Sequence, residues 1–125
     1  MIRVVLECLS DGALLSCKAQ GHSMFAPAGQ DIVCAAASVL LRTALSVLKD
    51  TSGFTVKTDK PKRGMLSFYV DCMQKDDAVG HREILIYTAV FLQKGLSALQ
   101  AEYPSHLSLQ VVCARDCKYV KDGGI

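Results

Sequence analysis

The sequence predicts an α+β domain of order ββαββαβ, a mostly antiparallel sheet packed with two long helices. Three observations carry this expectation. Short segments of alternating or β-rich apolar character recur along the chain. Asp11-Gly12 separates the first two of them, and a glycine there supplies the positive φ of a tight hairpin. Two long apolar stretches, roughly 32–49 and 78–102, carry helix-start and helix-stop residues.

Ile2 to Leu9 and Leu14 to Gln20 form the opening hairpin. Gly21 to Gln30 is a loop containing Gly21, Pro27 and Gly29. Asp31 is an N-cap for the first helix, whose Ala35, Ala36 and Ala37 are good helix formers. Ile32, Ala36, Val39, Leu40, Thr43 and Val47 form one stripe of it. Its first half is apolar nearly all round, the pattern of a central, buried helix. Phe54 to Thr58 is a third strand, Lys60 to Gly64 a turn, and Met65 to Cys72 a fourth strand with Leu66, Phe68 and Val70 on one face. Asp76-Asp77 caps the second helix, whose stripe is Ile84, Tyr87, Phe91, Gly95 and Leu99, and Tyr103-Pro104 stops it. Leu107 to Val112 is the last strand. Residues 1–113 therefore read as one domain and 114–125 as a loose tail.

The 125 residues include 14 Lys and Arg against 12 Asp and Glu, a net charge of +2, and half are apolar. This is too apolar for a disordered chain, and too nearly neutral to suggest a nucleic-acid footprint. The apolar run Ile32 to Leu41 is about half the ~20 residues that cross a bilayer, so no membrane role is expected. The N-terminal residues show no signal-peptide pattern, so the expected location is the cytoplasm, where thiols stay reduced.

The six cysteines are Cys8, Cys17, Cys34, Cys72, Cys113 and Cys117. No CxxC or HExxH spacing occurs, so metal binding is weakly supported and each cysteine defaults to a small packed hydrophobe. Cys34 is the exception worth arguing. It sits at the third helical position after Asp31, where first-turn amides favour an anion and can hold an oxyanion. His22 leaves a strand end, and an imidazole titrates near neutrality. Spacing alone leaves packing open for Cys34, solvation for His22 and simple capping for Asp31. His81 and His106 are alternative bases on paper, each more simply a surface residue.

Gly21-His22-Ser23, a short loop, Gly29, and then Asp31-Ile32-Val33-Cys34-Ala35-Ala36 with Ser38 resemble the ribosomal-processing cysteine protease family. The element order and Gly95-Leu96 followed by Tyr103-Pro104 agree with it. Ser23 stands where the family usually has Ala, and the Met24 to Ala28 loop is of the kind that varies. The resemblance implies a cysteine endopeptidase that removes the N-terminal extension of large-subunit ribosomal protein twenty-seven during ribosome assembly. It implies His22 as base, Cys34 as nucleophile, supporting roles for Gly21, Asp31 and Ser38, and a homodimer. The chemistry needs no cofactor and no metal. Ser38, one turn beyond Cys34, either orients a neighbour or bonds back to the Cys34 carbonyl. A non-catalytic ribosome-assembly binding module of the same fold is the alternative, and a thiol sensor built on Cys34 is a third reading. Nothing catalytic is inferred for Cys113 or Cys117.

Overall fold

The computed structural model describes residues 1–22, 31–59, 64–71 and 79–113. The order is β1 (Ile2–Cys8), β2 (Leu14–Gln20), α1 (Ile32–Asp50), β3 (Val56–Thr58), β4 (Met65–Val70), α2 (Val79–Glu102) and β5 (Leu107–Cys113). The α+β class and the ββαββαβ order therefore hold. The Asp76-Asp77 cap, most of the Lys60–Gly64 turn, Cys72 and the 114–125 tail lie outside the described residues.

The five strands form one sheet in the order β3-β4-β2-β1-β5. Three pairings are antiparallel, and β1 with β5 is parallel. Side chains alternate across each strand, so register decides the core face. Leu6 pairs Cys17, which pairs Phe68, and Val4 pairs Ala19, which pairs Leu66. Leu6, Cys17, Phe68, Val4 and Ala19 are all buried, whereas Arg3, Lys18 and Gln20 on the other face are exposed. Both helices therefore cover one side of the sheet. Each fully buried Leu or Phe there stabilises the fold by about 1.5–3 kcal/mol.

The buried stripe of α1 differs from the expected one. It is Val33, Ala37, Leu41, Ala44 and Leu48, while Val39 and Val47 are 64% and 51% exposed. On α2 the buried residues include Leu85, Ala89, Leu92 and Leu96, while Tyr87 and Phe91 are 69% and 51% exposed. Neither helix is central. Each lies in a single layer over the sheet, so only one face is covered whatever the composition of the other. The apolar outer faces are also why both helices are long and apolar enough to cross a bilayer on length and composition alone. The helices meet closely at Gly95, where a Cβ would lie 3.0 Å from Cδ1 of Leu40.

The chain path gives the domain two distinct ends. At one end, the Ile2 amide donates to the His106 carbonyl (2.9 Å) and the Gly21 amide to the Gly64 carbonyl (2.8 Å). At the other end, the β1–β2 turn meets the start of α2 through an ion pair between Arg82 and Asp11. Burial pushes the Asp11 carboxyl up, but bonds from the Ala13 amide (2.9 Å) and Arg82 outweigh this and hold it below its ordinary value. His81 is half-buried rather than a surface residue. Its ring covers Gly53 and lies 5.0 Å from that of Phe54. His106 is likewise half-buried.

Candidate active site

The site is built at the first of these ends, where β2 stops and α1 begins. Asp31 is extended (φ −86°, ψ 100°), and its Oδ1 accepts the Cys34 amide at 2.9 Å. Its carbonyl accepts the Ala35 amide at 3.0 Å, the first bond of the helix. An Asp in this conformation satisfies a donor that the helix itself cannot. Val33, fully buried, fixes the rotation of the first turn against the sheet. Cys34, the next residue, is half-buried and packs on the edge of the core. Ser38, one turn on, is exposed.

One expectation changes here. The Cys34 amide is engaged by the Asp31 carboxylate, so it does not stand ready for an oxyanion. The same carboxylate already occupies the positive end of the helix, where a thiolate would otherwise have the field to itself.

His22 follows Gly21 at the end of β2 and is exposed. Gly21 has φ +101°, and a Cβ on it would strike the Met1 carbonyl, so glycine is required twice over. Sequence reasoning missed the partner of His22. The imidazole lies flush over Gly64 (φ +77°), where a Cβ would sit 2.7 Å from Nε2 and 2.9 Å from Cε1. The β2–β4 register, Gln20 opposite Met65, brings the two together. The turn signal at Gly64 was visible in the sequence; its contact with the histidine was not. The chain path puts the start of α1 at this same end, because α1 ends beside Gly53 and His81 at the other. The Met24–Ala28 loop lies outside the described residues.

The described thiols differ sharply. Cys17 is buried, and burial pushes it up to about 12. Cys8 is buried and also raised, first by burial and then by the charges of Cys113 and Glu7. Cys113 is exposed, which corrects the packing default for it. All four described cysteines are thiols rather than disulfides. Among the described residues, no three His, Cys, Asp or Glu side chains converge as a metal site. A shallow groove of about 330 Å³ on the open sheet face, lined in part by Glu7, Ser16, Lys18 and Tyr69, includes none of the expected catalytic residues.

Among known proteins, the family model for cysteine protease Prp matches residues 1–108. The chain belongs to the Prp cysteine protease family. It is therefore a cysteine protease. The ribosomal processing protease Prp of Staphylococcus aureus, solved with a covalently linked product peptide, is 22% identical with a TM-score of 0.69. That match covers 89% of this chain and 99% of the other. The same enzyme with a substrate peptide gives 17% identity and a TM-score of 0.67, again over 89% and 99%. SMU.848 from Streptococcus mutans gives 22% and 0.68, over 91% of this chain and 96% of that one. At such identities these structures share the fold. No curated protein sequence matches.

Proposed function

We propose that this Prp-family protease removes the N-terminal extension of large-subunit ribosomal protein twenty-seven in the cytoplasm, with Cys34 as nucleophile and His22 as base. The observation that carries the reading is the placement of Cys34. A half-buried thiol is held in the first turn of a capped helix, at the end of the domain where β2 delivers His22. The structurally similar Prp of Staphylococcus aureus is a ribosomal processing protease solved with substrate and product peptides.

His22 takes the Cys34 proton, and the sulfur attacks the scissile carbonyl. The imidazolium protonates the departing amine, leaving a thioester. A water that gives its proton to His22 then releases the acid. With the Cys34 amide committed to Asp31, the oxyanion falls to the preceding first-turn amides, Ile32 and Val33. Alternatively, Asp31 yields the Cys34 amide as substrate binds. Gly21 and Gly64 position His22, Asp31 fixes the helix start, and Ser38 supports it. No cofactor enters the scheme.

The exposed apolar outer faces of the helices, carrying Val39, Val47, Tyr87 and Phe91, support a homodimer that covers them. Exposed patches of this kind mark interaction surfaces. The protein contacts the ribosomal substrate as a peptide, without nucleic acid or membrane. The test is cleavage of a peptide spanning the extension. Wild type and Cys113→Ser cut it; Cys34→Ala does not. Cleavage by Cys34→Ala refutes the assignment. Sedimentation of Phe91→Asp as a monomer, against a wild-type dimer, checks the assembly.

A further inference from the structure

Cys8 and Cys113 are register partners on the parallel β1–β5 pair. Their strands lie about 4.8 Å apart, inside the roughly 4.4–6.8 Å Cα separation of a disulfide. Register partners also project their side chains to the same face. Cys8 is buried at a register irregularity after Glu7, while Cys113 is exposed on β5, an edge strand. Burial first, and then the charge of Cys113, raise the Cys8 thiol. Both stand at the far end of β1, roughly 20 Å from the His22 end by strand rise. The cleavage chemistry uses neither.

We propose that Cys8 and Cys113 are a peroxide-responsive thiol pair that closes into a disulfide stapling edge strand β5 to β1. Cys113, the accessible sulfur, attacks one peroxide oxygen, giving a sulfenic acid while the second oxygen leaves as water. The Cys8 sulfur then gives up its proton and displaces the hydroxyl from Cys113, which departs as a second water. Two thiols and one hydrogen peroxide become one disulfide and two waters, with two electrons passing from sulfur to peroxide. The order follows from access: Cys8 is sealed in the core and acts only on a neighbour. The closed loop spans nearly the whole domain, so the crosslink constrains the unfolded chain strongly.

The test uses the full-length protein treated with hydrogen peroxide, alkylated, digested and mapped without reduction. A Cys8–Cys113 crosslinked peptide is expected, with a Tm several degrees higher that returns to its starting value on reduction. Cys113→Ser, a change at an exposed position, shows neither. Joining of Cys113 to any other cysteine, its conversion to sulfinic acid with Cys8 still a thiol, or an unchanged Tm in the crosslinked sample overturns the proposal.

Discussion

The two ends of this domain each carry a cysteine outside the sealed core, Cys34 half-buried and Cys113 exposed, and they hold it by opposite means. At the His22 end, Cys34 is fixed by local backbone: a cap from Asp31, a buried Val33, and glycines at 21 and 64 that let β2, Met1 and the imidazole close in. At the far end, Cys113 is exposed because the helices do not cover the last residues of β5, and Asp11, Arg82 and His81 tie α2 to the turns. In each case the element that carries the cysteine sets how far it is exposed. Cys17, in mid-sheet beneath the helices, shows the other limit: burial pushes its thiol up to about 12, which leaves little thiolate to react.

The largest effect is expected at Gly64. Gly64→Ala forces a Cβ against His22 and strains a backbone of φ +77°. Cleavage should fall about 100-fold, the scale of a misplaced catalytic group, with about 1–2 kcal/mol lost from stability for the left-handed backbone. Unchanged kcat/KM in Gly64→Ala removes the histidine platform from the account. Next comes the cap. Asp31→Ala should lower stability by about 1 kcal/mol in a denaturant titration. Asp31→Asn keeps a side-chain acceptor for the Cys34 amide, so it should cost less than Asp31→Ala. A loss as large as that of Asp31→Ala would mean that the charge, not the cap, holds the helix start.

Alkylation of native protein separates the regions further. Cys34 and Cys113 should react, while Cys17 reacts only as fast as the chain unfolds, read by mass spectrometry of labelled peptides. Rapid native labelling of Cys17 would contradict the sealed core. The smallest effect belongs to the far end. Arg82→Ala should leave cleavage unchanged and remove at most about 1 kcal/mol, as expected of a partly exposed pair. Its pH signature has a definite sign. The folded Asp11 carboxyl lies below its ordinary 3.8. Its contribution is therefore complete above that value and fades as the pH falls through the folded one. Acid unfolding of Arg82→Ala should show a shallower loss of stability below pH 4.

Local signals were legible in the sequence, and distant ones were not. The Asp31–Cys34 cap could be anticipated because three residues of chain determine it. The strands followed from alternation, and Leu66, Phe68 and Val70 do share the core face. The buried stripes of both helices differ from those that periodicity predicts. In a helix apolar nearly all round, periodicity does not choose the inner face; the sheet does. That is why Val33 and Leu48 are buried while Val39 and Val47 face outward. Gly64 under His22 and Cys113 beside Cys8 were invisible because strand register alone makes each pair neighbours.

The proposed chemistry rests on one thiol, Cys34, at the start of α1. A peptide spanning the proposed N-terminal extension and carrying an electrophilic carbonyl substitute should label the protein once, and peptide mapping should place the label on Cys34. His22→Ala should abolish labelling while the fold persists. A label on Cys113 or Cys17, or undiminished labelling of Cys34 without His22, would contradict the account.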